Sequence, residues 1–231
     1  KLWSGTQVRN SYQHIHFEHE FMPFSLPEIR SSSDTVLELG SSFGQCYRSL
    51  MSEGIDLGPR YTGIDVSEEG VGYSANMFPQ ATWIQGDFLT TEFGQTFDFL
   101  VERNAIHHMP SPLECVAKAV NLTDKAISMH MRVRTWHSTL SDIEKGYFVF
   151  RSDEGEIKGR FFYNLINLFE LVDHILSLER IAQVSIRLIP HTTTKSVDGL
   201  EIPLDVQDPK EETYYCKCVV TKGSAQKPRV A

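Results

Sequence analysis

Residues Thr35-Val36-Leu37-Glu38-Leu39-Gly40-Ser41-Ser42-Phe43-Gly44 decide the fold. Val36, Leu37 and Leu39 form a short apolar run with one acid in it, Glu38, and the run ends in a turn bracketed by two glycines. The residues after the turn, 43–53, predict a helix. A buried strand, a tight turn and a helix N-terminus make a cradle for an anionic or zwitterionic group, because the first N–H groups of a helix lack partners within it. Glycine is required where φ is positive or where a ligand must approach the backbone closely.

Outward from this turn, strands and helices alternate. Strands are predicted at 35–39, 61–65, 81–84, 97–101 and 126–131, with helices at 43–53, 68–78 and 112–120 between them. Such alternation implies a parallel sheet covered by helices on both faces. After Met131 the rhythm breaks: residues 132–158 hold Trp136, Tyr147, Phe148 and Phe150 without a clear period. A helix is then predicted over 160–178, with Phe161, Leu165, Leu168, Val172 and Leu176 on one face, followed by strands at 181–188 and 213–221. The expected organisation is an N-terminal cover segment (1–33), a main domain (34–221) whose residues 132–180 form a substrate lid, and a frayed tail (222–231).

Bulk composition narrows the function. The chain has 231 residues, 41% hydrophobic and 23% charged, enough for one soluble domain with a full core. Its 22 basic and 30 acidic residues leave a net charge of −8, which argues against a nucleic-acid partner. No apolar run approaches the ~20 residues of a membrane span. Cys46, Cys115, Cys216 and Cys218 show no zinc spacing and fit free thiols in a reducing cytoplasm, with Cys216 and Cys218 read as core. The chain opens on Lys1 rather than Met, so the lack of a signal peptide says little.

The spacing of the turn selects among nucleotide-like ligands. A dinucleotide turn, G-x-G-x-x-G, would need glycines where Ser42 and Gln45 stand. The G-x-G-x-G turn of the class I (Rossmann-like) S-adenosylmethionine-dependent methyltransferases matches at Gly40 and Gly44 and departs at Ser42. "VLELGSSFG" resembles the first motif of that family, Glu38 included. "YTGIDVSEEGV" supplies Asp65, about 20 residues on, and "ATWIQGDFL" supplies Asp87 and Phe88. "FDFLVERNAIHHM" is similar to the family's fourth strand and the loop after it.

The resemblance covers residues 34–131 and implies a three-layer α/β sandwich, with a seven-stranded, mostly parallel sheet and an antiparallel last strand. The implied cofactor is S-adenosylmethionine, leaving as S-adenosylhomocysteine. It would be held by Glu38, Gly40, Ser42, Gly44, Asp65, Val66, Asp87, Phe88 and Arg103, with Asp65 on the ribose hydroxyls and Phe88 stacked on the base. A carboxylate suits a vicinal diol because it only accepts hydrogen bonds. The implied activity is methyl transfer to a small molecule, expected at oxygen and in specialised metabolism. The rivals are a cofactor-binding scaffold that does not methylate and, further off, a nicotinamide-dependent oxidoreductase. A homodimer is left open.

Methyl transfer needs an aligned acceptor and, for an acidic nucleophile, a base. His107 and His108 follow strand four, at the carboxyl edge where ligands bind in such folds, and are the candidate bases. The plainer reading has one of them cap the following helix or bond a backbone carbonyl. Arg103 either clamps an acidic acceptor or pairs with Glu102 or Asp87. Asn104, Trp136, Tyr147, Phe162 and Tyr163 are candidates for the acceptor wall, and Arg132, Arg134, Arg151 and Arg160 add positive charge near it. His14, His16, Glu18 and Glu20 would share one face of a strand, but nothing later completes a metal site and none is expected. Trp3, Tyr12 and Phe17 are read as part of the N-terminal cover.

Overall fold

Val36, Leu37 and Leu39 are buried on both sides of the chain, and this run becomes β1 (Val36–Leu39) at the centre of a sheet. In the computed structural model, residues 33–52, 54–135, 138–139, 147–151, 157–191 and 213–223 are described. The chain continues through α1 (Gln45–Ser52), β2 (Tyr61–Asp65), α2 (Glu68–Met77), β3 (Thr82–Gln85) and β4 (Phe97–Arg103). Next come α3 (Pro112–Asn121), β5 (Thr123–Arg134), β6 (Tyr147–Arg151), β7 (Ile157–Phe162) and β8 (Ile166–Asn167). The last elements are α4 (Leu168–Leu176), β9 (Ile181–His191) and β10 (Thr213–Lys222).

The main sheet has the order β3-β2-β1-β4-β5-β10-β9, with β8 on β5. β1 to β5 pair in parallel, whereas β10 runs antiparallel to both β5 and β9. This is the expected seven-stranded sheet with an antiparallel last strand, extended by the short β8. β8 pairs with Val133 and Arg134 of β5, beyond His130, where β4 has already ended. The chain before β8 therefore crosses the carboxyl edge of β4.

Two apolar layers explain why both faces are covered. On one face Val36, Tyr61, Phe99 and Val101 pack against Cys46, Tyr47 and Leu50 of α1 and against Phe78. On the other, Leu37, Leu39, Leu100, Ile127 and Met129 meet Cys115, Val116 and Ala119 of α3 and Leu171 and Ile175 of α4. Cys216 and Cys218 lie in this second layer, and all four cysteines are free and buried.

The prediction of one helix over 160–178 is corrected. β7 runs to Phe162, and α4 starts only at Leu168, after Asn167 caps it by accepting from the N–H groups of Phe169 and Glu170. Aromatic residues at 161–162 favour the β6–β7 hairpin, in which Tyr147 stands opposite Phe162. On α4, Leu168 packs against the core as expected, but the fully buried residues are Leu171 and Ile175, and Leu176 is 59% exposed.

Candidate active site

The glycine turn lies at the carboxyl end of β1. Gly40, Ser42 and Gly44 all take positive φ, at 72°, 46° and 69°, so Ser42 adopts the left-handed conformation that a glycine would hold more cheaply. Gly40 is required for a second reason. A Cβ built there would lie 2.4 Å from the Cβ of Ala105, in the loop after β4. The turn after β1 and the loop carrying the histidines are thus in direct contact.

The N–H groups of this turn are not the open cradle expected of them. Those of Gly40 and Ser41 donate to the carbonyl of Ile64 (2.9 and 3.0 Å), that of Gly44 to the carbonyl of Ser41, and that of Ser42 to Asp65 Oδ2 (2.8 Å). The physical reason is that β2 ends beside the turn and uses the donors of Gly40, Ser41 and Ser42 itself. What the turn offers a ligand is close approach to its backbone, together with the Ser41 hydroxyl, which is buried without a partner among the described residues.

Asp65 ends β2 and ties three pieces together. Its Oδ2 holds Ser42, its Oδ1 accepts from the Ser67 N–H at the start of α2 (2.8 Å), and its carbonyl accepts from the Gly86 N–H (2.9 Å). Burial raises its pKa, against the backbone donors that lower it. A carboxylate accepts about four hydrogen bonds, so Asp65 keeps acceptor capacity for a ribose hydroxyl beside the backbone groups of Ser42, Ser67 and Val66. Val66, next in sequence, is 64% exposed, an apolar group at the rim. Asp87, just past Gly86, is exposed, with Oδ1 accepting from the Leu89 N–H (2.8 Å). Adenine, ribose and a methionine-like end would meet an apolar rim, a diol acceptor and a close backbone in that order. The residues fit S-adenosylmethionine.

Two expectations for this end of the site change. Phe88 cannot stack on a base. It is 1% exposed, packed into the core with Phe93, its ring 5.5 Å from Lys118 Nζ. Glu38 and Arg103 pair with each other (3.4 Å). Glu38 also accepts from the Tyr61 hydroxyl. Burial lifts the Glu38 carboxyl from 4.5 to about 7, against the pull of Arg103 and Tyr61.

The pH consequence has a definite sign. A carboxyl whose pKa is raised by folding contributes stability that is complete below its ordinary value and lost as pH rises to the folded one. Glu38→Gln removes that loss, so its melting temperature relative to the parent should climb between pH 4.5 and about 7 and level off above. A gap that does not vary with pH would show that Glu38 is not the group titrating. The comparison with the parent cancels His107 and His130, whose pKa values burial pushes down and which act in the opposite direction.

Past β4 the chain makes a short turn, Ile106–His108, held at its start by Glu102. Glu102 is fully buried, its Oε1 accepting from the N–H groups of Ala105 and Ile106 and its Oε2 from that of His130. Asn104 is exposed at φ 58°, and its N–H donates to the His130 carbonyl. His107 is 3% exposed and burial holds its pKa well below 6.5, so it is neutral, and its Nδ1 has no partner among the described residues. His108 is half-buried, its ring 4.1 Å from that of His107 and 6.1 Å from that of Tyr163. Arg132 lies over the Tyr163 ring at 5.8 Å.

Residues 36–125 match the family model described as a methyltransferase domain. Over that span the chain is similar to methyltransferase domains. The matched span runs through the glycine turn, Asp65, Asp87 and the histidine turn. Among solved structures, a methyltransferase from Methanosarcina mazei superposes with a TM-score of 0.59 at 16% identity, covering 88% of this chain and 98% of that one. Magnesium protoporphyrin IX methyltransferase from Synechocystis PCC 6803, solved with S-adenosylmethionine, gives 0.52 at 11% identity, covering 94% and 82%. At these identities the likeness shows the fold alone. A search of curated proteins returns no match.

Of the expected site residues, the structure brings Gly40, Ser42, Gly44, Asp65, Val66 and Asp87 to one edge and places His107, His108 and Tyr163 together beside it. Trp136, the N-terminal cover and the His14–Glu20 stretch lie outside the described residues, as do the side chains of Tyr147 and Phe162. Sequence reading missed Ala105 and Asn164. Only the Asn-Ala pair after the strand hinted at the first, since Asn tolerates positive φ and Ala is small.

Proposed function

We propose that this chain transfers the methyl group of S-adenosylmethionine to an oxygen of a small organic acceptor, with His108 as the base. The observation that carries the reading is the contact of Gly40 with Ala105, which sets the histidine turn against the glycine turn. Asp65 would hold the ribose, Val66 and Asp87 the adenine end, and the backbone of Gly40–Gly44 the methionine end. When bound, the cofactor supplies an activated methyl group. His108, half-buried beside a neutral His107, removes the proton from the acceptor hydroxyl. His107 is too enclosed for that step and acts as a neutral support. A small acceptor is supported by the structural neighbours, whose named substrates include magnesium protoporphyrin IX and phosphomonomethylethanolamine. Residues 1–33 are read as the cover and 132–180 as the acceptor side.

Thermal shift with S-adenosylhomocysteine and NAD in parallel tests the cofactor. A ligand at 100 times its Kd adds about 2.7 kcal/mol, and stabilisation by NAD alone would sink the reading. Tritiated methyl transfer into a pooled metabolite extract tests turnover. His108→Gln should lower it at least ~100-fold while S-adenosylhomocysteine binds as before. Transfer undiminished in His108→Gln removes the base.

A further inference from the structure

Asn164 lies in the loop between β7 and β8, where the chain crosses the edge of β4. Its backbone N–H donates to the His107 carbonyl (2.7 Å), and its Nδ2 donates to the Met109 carbonyl. These are the two carbonyls on either side of His108. The loop is fixed in turn by β8, which pairs with β5 two residues further on. Asn164 is fully buried. The start of the same turn is anchored independently by Glu102.

The choice of asparagine has a cost. Its Oδ1 is buried without a partner among the described residues, and an unmet buried acceptor destabilises by about 1–3 kcal/mol. The backbone N–H alone would tie the loop to His107, and any residue but proline provides that. The tie to Met109 is made by the side-chain Nδ2 alone, which not every residue could supply. A side chain kept at a cost to the fold is expected where function needs it.

We propose that Asn164 is a positioning residue for methyl transfer, clipping the two carbonyls that flank His108 and so fixing the imidazole at the acceptor end of the site. The inference rests on the reading of His108 as base. Asn164 lies outside residues 36–125, and it ties the chain after β7 to the histidine turn.

The test follows the His108 ring by NMR in protein labelled with nitrogen-15 histidine and saturated with S-adenosylhomocysteine, the signal assigned through His108→Gln. Parent, Asn164→Ala and Asn164→Ser are titrated with acid. All three should bind S-adenosylhomocysteine within about twofold. In Asn164→Ala the apparent pKa of His108 should move by at least about 0.5 unit, with a broadened signal as the ring samples several orientations. An unchanged His108 titration in a folded, ligand-binding variant overturns the inference. Should Asn164→Ala not fold, Asn164→Ser carries the same criterion. A parent that binds no S-adenosylhomocysteine would instead overturn the methyl-transfer reading, leaving the His108 titration to decide the clip on its own.

Discussion

Gly40→Ala should lose S-adenosylhomocysteine binding and roughly 2–5 kcal/mol of stability, the sum of two separate penalties. The first is conformational. At φ 72° an L side chain costs about 1–2 kcal/mol. The second is steric, since the new methyl would stand 2.4 Å from Ala105 Cβ, and a packed site yields only by moving backbone. The two can be separated. Ala105→Gly removes the obstructing methyl without touching the φ requirement, so the double variant should recover stability but not all of it. Urea unfolding of the four proteins gives the coupling, and calorimetric titration gives the binding. A Gly40→Ala protein as stable as the parent, or a double variant no better than the single one, would show that the two turns do not press on each other here.

The same two turns show what sequence could and could not reveal. β1 was legible because three apolar residues and a glycine turn leave the backbone few choices, and Asp65 was legible because a strand that ends in an acid is a local pattern. The use of the turn's N–H groups was not. Ile64 and Asp65 take those of Gly40, Ser41 and Ser42, and that follows from where β2 ends beside β1, a long-range fact. Phe88 failed for a related reason. A ring next to an exposed acid looked available, but β3 turns at Gly86 and sends it into the core. The error over 160–178 came from periodicity. Spacing at 161, 165, 168, 172 and 176 imitates a helix, yet the first two belong to a hairpin and a loop, and only Asn167 marks the true start. Asn164 carried no local signal at all. Its two partners are 55 and 57 residues earlier in the chain, and the sheet edge alone brings them together.

Asp65 is where loss of a single side chain should affect binding most. Its two oxygens each hold one backbone N–H at 2.8 Å, those of Ser42 and Ser67, and so set the turn after β1 against the start of α2. The acceptor capacity left over is what the ribose hydroxyls would use. Asp65→Ala removes both sets at once. Hydrogen bonds to a charged group contribute about 1.5–3 kcal/mol each, so S-adenosylhomocysteine should bind at least ~100-fold more weakly, about 2.8 kcal/mol. The apo protein should also lose about 1–3 kcal/mol, because two partly buried N–H groups are left unpaired. Asp65→Asn separates the roles. Its single carbonyl oxygen can hold one N–H, while its amide meets the other donor with a donor. Binding should therefore fall nearly as far as in Asp65→Ala, with a smaller change in stability if the carbonyl faces Ser42. Calorimetric titration and urea unfolding of the three proteins read both quantities. An alanine variant that binds S-adenosylhomocysteine within about threefold of the parent would mean that the diol lies elsewhere, and that Asp65 serves only to join β2 to the glycine turn.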